Sequence, residues 1–356
     1  MAGLYVHFPF CASKCIYCDF YARVRRDWNP YLEALLREIS DRSDELDVPP
    51  TTLYFGGGTP SFLPAPVLAR VAEALHTAFG VRTFDEFSVE VNPDDITDER
   101  TASLRTLGAN RISMGVQSFN DGHLRWMHRR HTAADAEAAF DRLRHAGFGN
   151  LSLDLIFGFS GLSDAEWLQS IDRALALQPE HISCYQMTGR YADSDEERCR
   201  RQYALLQERL ARAGIRQYEV SNYARPGFES RHNSAYWRRE ACLGFGAAAH
   251  SFDGKRLRRW NTPDIDAYIV ARPGGQERLS DREVLEEKLM LSLRTTAGLK
   301  RDALRDDEWR MIKKTTLETL SRAGKLIVET ECIRIPHAEL FVSDWIISRL
   351  FPPDTV

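Results

Sequence analysis

The chain has 356 residues, 43% of them apolar and 28% charged, with a formal net charge of −4. That length supports one large domain and a smaller one, the composition is that of a soluble globular protein, and the charge balance gives no global pull toward nucleic acid. No apolar run approaches the roughly 20 residues of a membrane-spanning helix, and the short apolar stretch at 4–10 lacks the basic region and cleavage site of a secretory signal, so the cytoplasm is the expected compartment.

From residue 4 to about 188, short β-rich runs alternate with longer amphipathic ones. The strand candidates are 4–8, 52–55, 87–91, 111–116, 151–156 and 181–187; the helical stretches between them include 31–42, 66–79, 133–146 and 164–177. Such alternation implies βαβ units on a parallel sheet. The expected fold is α/β, a partial (β/α)6 barrel rather than a closed eightfold one, although a doubly wound sheet has the same pattern. The barrel is favoured because polar or glycine-rich features fall at or just after strand ends: 56–60 (Gly-Gly-Gly-Thr-Pro), Glu90, Gln117 and Asp154. Ligands gather at the carboxyl ends of strands in such folds.

Beyond Met187 the pattern changes. A charged helix is expected at 194–213, a strand-like run at 217–220 and an aromatic-rich loop through Trp237. From 281 a helix-rich region with a strand pair (326–328 and 332–335) and a terminal helix reads as a small separate domain, with 272–275 in the linker. The expected division is a barrel domain with its extension over 1–250, then a linker and small C-terminal domain over 251–356. The basic run 23–26 reads as solvated surface.

Seven cysteines, an odd number, argue against a disulfide framework. Cys11, Cys15 and Cys18 lie within eight residues, directly after the first strand, while Cys184, Cys199, Cys242 and Cys332 are scattered. Three thiolates in one loop suit a four-iron cluster with one iron left open, which can chelate the amino and carboxylate groups of S-adenosylmethionine. Reductive cleavage of that sulfonium supplies a deoxyadenosyl radical, with the protein providing position and shielding. The alternative is structural zinc, which wants a fourth ligand, for which His7 is a candidate.

The stretch from Tyr5-Val-His-Phe-Pro-Phe to Cys11, and on through Tyr17-Cys18-Asp19-Phe20, resembles the oxygen-independent coproporphyrinogen oxidase superfamily of radical-SAM proteins, and within it the HemW-type heme chaperones. The similarity is tightest over 4–160 and about 215–252. In the oxidase itself a further cysteine follows two positions after the last cluster cysteine; here that position is Phe20, as in the HemW group. The resemblance implies a [4Fe–4S] cluster on Cys11, Cys15 and Cys18. It implies S-adenosylmethionine contacts from Tyr5, Gly57, Gly58, Thr59, Glu90, Gln117, Arg129 and Asp154, with Thr188 near the adenine. Read alone, the glycine run is a tight turn or a loop of exposed amides, and Glu90 is a ribose acceptor or an N-terminal charge for the next helix. Arg130, beside Arg129, can exchange places with it in the match.

Residues 232–237 (His-Asn-Ser-Ala-Tyr-Trp) resemble the HemW His-Asn-x-x-Tyr-Trp signature. His232 is either an axial heme ligand walled by aromatics or a loop clamp whose imidazole hydrogen-bonds backbone; His250 is a second candidate. The loop after Met187 departs from the family at the expected mouth of the barrel, where substrate or heme would enter. The resemblance implies a heme chaperone serving heme-accepting respiratory proteins, with a monomeric or dimeric state and peripheral membrane association both compatible. The rival functions are coproporphyrinogen III oxidation in porphyrin biosynthesis and a radical-SAM reaction on another substrate.

Overall fold

The computed structural model of the protein describes residues 2–24, 27–312 and 314–352, so Arg25 and Arg26 of the basic run lie outside the described residues. Strands β1 (Ala2–Phe8), β2 (Thr52–Gly57), β3 (Glu86–Val91), β4 (Arg111–Gln117), β5 (Leu151–Phe157) and β6 (His181–Gln186) lie side by side in chain order, all parallel. The crossovers carry helices α1 (Asn29–Asp41), α2 (Ala65–Phe79), α3 (Asp98–Thr106), α4 (Asp121–Trp126), α5 (Ala133–His145) and α6 (Asp164–Ala176). An order from β1 to β6 without reversal is the barrel arrangement; a doubly wound sheet would change direction at a switch point. The expected partial barrel is present, and it stays open.

Its strands read with period two. Phe87, Val89 and Val91 in β3, Ile112, Met114 and Val116 in β4, and Leu151, Leu153 and Leu155 in β5 join one core with the apolar stripes of the helices, such as Leu68, Val71 and Leu75 of α2. The alternate positions, among them Glu86, Glu90, Arg111, Ser113 and Asp154, are polar. Helix starts are fixed locally: Thr132 with Asp135 and Ser163 with Glu166 form reciprocal capping boxes at α5 and α6.

Both edges of the sheet are extended. Helix α7 (Glu196–Arg212) leads to β7 (Arg216–Gln217) and β8 (Asn222–Ala224), which is antiparallel to β6. After helix α8 (Arg231–Trp237), β9 (Ala241–Phe245) pairs parallel with β1, and β10 (His250–Phe252), β11 (Leu257–Trp260) and β12 (Gly275–Arg278) follow antiparallel. The sheet therefore crosses the boundary expected at 250, and the segment expected as linker at 272–275 runs into edge strand β12. A separate three-stranded sheet, β13 (Leu299–Lys300), β14 (Ile327–Val328) and β15 (Cys332–Arg334), belongs to the helix-rich C-terminal part. Among the described residues no helix is long and apolar enough to cross a membrane.

The segment expected as an aromatic-rich loop ends instead in helix α8, which plugs the amino-terminal end of the partial barrel. The Glu86 carboxylate, at the start of β3, accepts from Ser230 Oγ (3.2 Å), Arg231 N (2.7 Å) and His232 N (3.0 Å) at the helix start. Acceptors there satisfy amides that have no partner within the helix. His232 reaches between the strands, its Nδ1 2.9 Å from Thr52 Oγ1 and its Nε2 3.0 Å from Tyr236 Oη. Gly3 makes room for it, since a Cβ at that position would stand 3.1 Å from the imidazole. Replacing Glu86 with Ala strips these three donors and Ser88 Oγ (3.3 Å) of their acceptor in a buried place, and urea unfolding should show a loss of about 3 kcal/mol of stability. An unchanged midpoint would mean that α8 is not held by this carboxylate.

Candidate cofactor site

Nearly every residue that the sequence singles out at the strand ends meets in one cavity of about 510 Å³. Cys11, Cys15 and Cys18 form one wall, Gly57, Gly58 and Thr59 another, and Glu90, Gln117, Arg129, Asp154 and Thr188 complete it. Tyr5 is not brought to the lining. Its hydroxyl meets His7 Nδ1 at 3.1 Å and its ring packs on Tyr54, so it stands behind the site.

The cysteine loop is held from three sides. At its base Cys11 N donates to Arg23 O (3.1 Å) and Arg23 N to Pro9 O (2.9 Å). Across the cavity, Arg129 Nη1 reaches Cys15 Sγ (3.6 Å) and Tyr17 Oη (3.4 Å), while its Nη2 donates to Asn92 Oδ1 (2.7 Å) and Gly115 O (2.6 Å). One planar fork thus ties the loop to the ends of β3 and β4. Arg130 also borders the cavity but spends its guanidinium on ion pairs with Asp94 and Asp95, so the two neighbours do not exchange roles. On the third side Cys11 Sγ lies 3.5 Å from Thr59 Oγ1.

The glycine loop presents less to a ligand than its sequence promises. Gly57 N donates to Glu90 Oε2 (3.1 Å), Gly58 N to Phe8 O (2.9 Å) and Thr59 N to Phe10 O (2.9 Å). These three amides are spent within the fold, so they are not free to meet a ligand. Glu90 faces inward rather than serving a helix start, with Oε1 accepting from Tyr54 Oη at 2.8 Å. Burial pushes its carboxyl up to about 7. Asp154, which accepts from Ser113 Oγ at 3.2 Å, is raised for the same reason. Gln117 sits at a bulge in β4 with φ of 69°, a left-handed conformation that disfavours a side chain and that proteins retain chiefly at functional positions.

The residues present fit an iron–sulfur cluster with one site left to a ligand. Three thiols share a wall, and the candidate fourth donor is engaged elsewhere: His7 Nε2 donates to Tyr21 O (2.8 Å), which leaves its Nδ1 to accept from Tyr5. Among the described residues no three His, Cys, Asp or Glu side chains gather as around a single ion. Gly58 is cradled so closely that a Cβ would lie 2.7 Å from Phe10 O and 2.8 Å from Phe8 O. When bound, the cluster and S-adenosylmethionine together supply radical chemistry; Cys11, Cys15 and Cys18 would hold the first, and Glu90, Gln117, Arg129 and Asp154, which line the same cavity, would hold the second.

The heme-ligand reading of His232 is not supported by its placement. The residue is 2% exposed, both ring nitrogens are engaged, and burial pushes its imidazole down to about 3. It is a clamp, though on side chains rather than backbone. His250 lies outside the cavity on β10, its ring stacked on Trp260 at 6.0 Å. The sequence reading missed Tyr54, Arg111, Ser113, Ser183 and Asn233, which also line the cavity. Four of them occupy the polar positions of strand alternation, which is the signal that could have found them.

The raised Glu90 carboxyl makes stability depend on pH. Its folded value lies above the unfolded one, so its contribution is fully present below the ordinary glutamate range and lost as pH rises toward 7 and beyond. Relative to wild type, Glu90→Gln apoprotein should therefore gain about 2 kcal/mol of stability between pH 4.5 and pH 8. Parallel denaturation curves at all pH values would contradict the placement of this group.

Residues 5–174 match the radical-SAM superfamily. The cofactors are accordingly a [4Fe–4S] cluster and S-adenosylmethionine. The chain is 37% identical over 323 residues to the heme chaperone HemW of Synechocystis sp., covering 83% of this chain and 78% of that protein. It is 33% identical to HemW of Bacillus subtilis, with 95% and 96% covered. It is also 32% identical to the mitochondrial radical S-adenosyl methionine domain-containing protein 1 of Bos taurus, with 84% and 74% covered. Among solved structures, coproporphyrinogen III oxidase (HemN) from Escherichia coli superposes with a TM-score of 0.82 at 22% identity, over 98% of this chain and 90% of that one, a likeness of fold. With identity above 30% across nearly the whole length of a relative, the chain belongs to the HemW family of radical-SAM proteins.

Proposed function

We propose that this protein is a cytoplasmic heme chaperone that binds heme and delivers it to respiratory proteins, carrying its cluster on Cys11, Cys15 and Cys18 and S-adenosylmethionine beside Glu90, Gln117, Arg129 and Asp154. The observation that carries this reading is identity of 33–37% to proteins named heme chaperones over 83–95% of the chain. Phe20 supports it: this ring stands 70% exposed at the cavity mouth, at the position where the oxidase has its further cysteine. The likeness to the oxidase is one of fold and brings no activity with it. The loop that departs from the family, 187–192, runs along the mouth. Thr188 lines the cavity, and Tyr191 packs on Trp126, with centroids 5.6 Å apart, just outside it.

Anaerobically reconstituted protein titrated with heme should show a shifted Soret band that saturates near one equivalent. Incubation with coproporphyrinogen III, S-adenosylmethionine and a reductant should give no protoporphyrinogen. Absence of a Soret change, or clear turnover of the porphyrinogen, would overturn the chaperone reading. His232→Ala should leave heme affinity within about twofold while lowering stability by about 2 kcal/mol, as expected for a buried clamp. The Cys11→Ala, Cys15→Ala, Cys18→Ala triple variant should retain its fold by circular dichroism, lose its iron and sulfide, and bind S-adenosylmethionine at least about a hundredfold more weakly.

A further inference from the structure

We propose that His128 is the axial ligand of the heme iron, on an apolar rim at the mouth of the cavity. The proposal rests on the reading that this chain binds heme, and it names the group that holds the metal. A heme iron takes its protein ligand from an imidazole nitrogen that is both reachable and uncommitted. The chain has ten histidines, and among the described residues only His128 lines the cavity. It is exposed, and its imidazole makes no hydrogen bond, ion pair or ring contact there. Other histidines of the barrel are spent within the fold. His7 and His232 are engaged at both ring nitrogens, as is His181, which meets Ser152 Oγ at 2.7 Å and Tyr218 Oη at 2.9 Å. His131 is buried with its Nε2 3.1 Å from Val116 O.

The backbone at His128 is held in an uncommon conformation, with φ of 59°, where glycine is the usual occupant. The residue follows α4, and the chain reverses there: His128 N donates to Arg125 O (3.1 Å) and Arg129 N to Leu124 O (2.9 Å). A histidine holds this conformation at a cost that glycine would not have, and such costs are kept chiefly where the side chain is used. The reversal leaves His128 at the mouth while Arg129, next in the chain, reaches inward to Cys15 and Asn92. Ile16 N donates to Met127 O (3.4 Å), which sets the same turn against the cysteine loop.

The surroundings suit a porphyrin. Phe20, Val24 and Tyr185 line this cavity and are exposed, so three large apolar side chains face water around one opening. Trp126, two residues before His128, is exposed as well, with the Phe159 ring at 5.3 Å and the Tyr191 ring at 5.6 Å. Apolar groups gathered at an opening mark a ligand surface. Heme also carries two propionates. Lys14 and Arg23 are exposed, line the cavity and make no ion pair among the described residues. Asp19 is the one acid exposed on the same lining, so the cations prevail there. The mouth thus offers a nitrogen for the iron, rings for the macrocycle and two cations for its acids.

The test uses the full chain with its cluster reconstituted, so that the three thiols do not compete for heme iron. His128→Gly is the suitable variant, because glycine takes the left-handed turn freely, and its urea midpoint should equal or exceed that of wild type. Wild-type protein titrated with ferric heme should give the Soret maximum and iron electron paramagnetic resonance of histidine-ligated heme. His128→Gly should lose that signature and bind heme about tenfold more weakly, and added imidazole should restore the spectrum. Lys14→Glu with Arg23→Glu should keep the signature and weaken binding about threefold or more. A wild-type spectrum in His128→Gly, at whatever affinity, overturns His128 as the ligand and leaves the chaperone reading standing. Wild-type protein that takes up no heme overturns that reading instead, and this inference with it. Unchanged affinity in the double charge reversal removes Lys14 and Arg23 from the site.

Discussion

The constraint on which the cofactor site depends is the contact between the glycine loop and the cysteine loop. Gly58 lies so near the backbone of Phe8 and Phe10 that no side chain fits, and its amide and that of Thr59 donate to Phe8 O and Phe10 O. The end of β1 and the end of β2 are thereby fused into one hydrogen-bonded unit before any ligand arrives. Arg129 completes the frame from the opposite wall by bridging the cysteine loop, Asn92 and Gly115 O. A loop of thiols on its own would be a poor template for a cuboidal cluster. Tied at its base, at Thr59 and at Arg129, it is set against the cavity wall by groups whose own positions are fixed by the sheet.

The same frame explains the unusual electrostatics of the interior. Strand alternation sends apolar side chains to the helices and polar ones inward, so a partial barrel with a polar inner face desolvates charges without pairing all of them. Glu90 and Asp154 respond by leaning toward their neutral forms, and His232 by staying neutral. Arginine has no such recourse, since its guanidinium keeps its proton in any protein environment. Arg129 solves this with hydrogen bonds to Asn92 and Gly115, whereas Arg111 has none. Interiors of this kind are less stable than apolar ones, and a cost of this sort at a site is commonly what ligand binding relieves.

Much of this was legible from residue patterns because local chemistry and global fold agree there. The six parallel strands lay within a residue or two of their expected bounds, and the thiols, Glu90, Gln117, Arg129 and Asp154 line one cavity. What escaped was set by tertiary partners. Residues 231–237 form a helix because Glu86, about 145 residues earlier, accepts from its first amides, and no local pattern carries that information. The sheet runs past residue 250 because β9 finds an open edge on β1, a long-range pairing invisible in a short antiparallel run such as β10. Tyr5 failed to reach the cavity because its hydroxyl is claimed by His7, whose tautomer is in turn fixed by Tyr21 O. The glycine-loop amides are spent within the fold because Glu90 takes that of Gly57, while Phe8 O and Phe10 O take those of Gly58 and Thr59.

An open barrel needs its ends managed, and the manner in which this one does so decides where a ligand can go. Six strands leave two free edges, which β9 and β8 cover, so no long unpaired ladder of the six is left beside the cavity. The amino-terminal end would otherwise admit water to Glu86, Arg111 and His181; α8 stoppers it, with His232 wedged between Thr52 and Tyr236. The residues of that segment therefore have a physical reason that does not require iron. A histidine at its second position fills the gap that Gly3 leaves, a tyrosine four residues on lies one helical turn above and closes the hydrogen bond, and the intervening asparagine is the one polar side chain of the plug left facing the cavity. With the base sealed and the edges covered, the space that remains is bordered by the thiol loop and the exposed Phe20 on one side and by the exposed Tyr185 and Gln186 at the end of β6 on another, so a ligand enters at the carboxyl ends of the strands, where the cofactor residues lie.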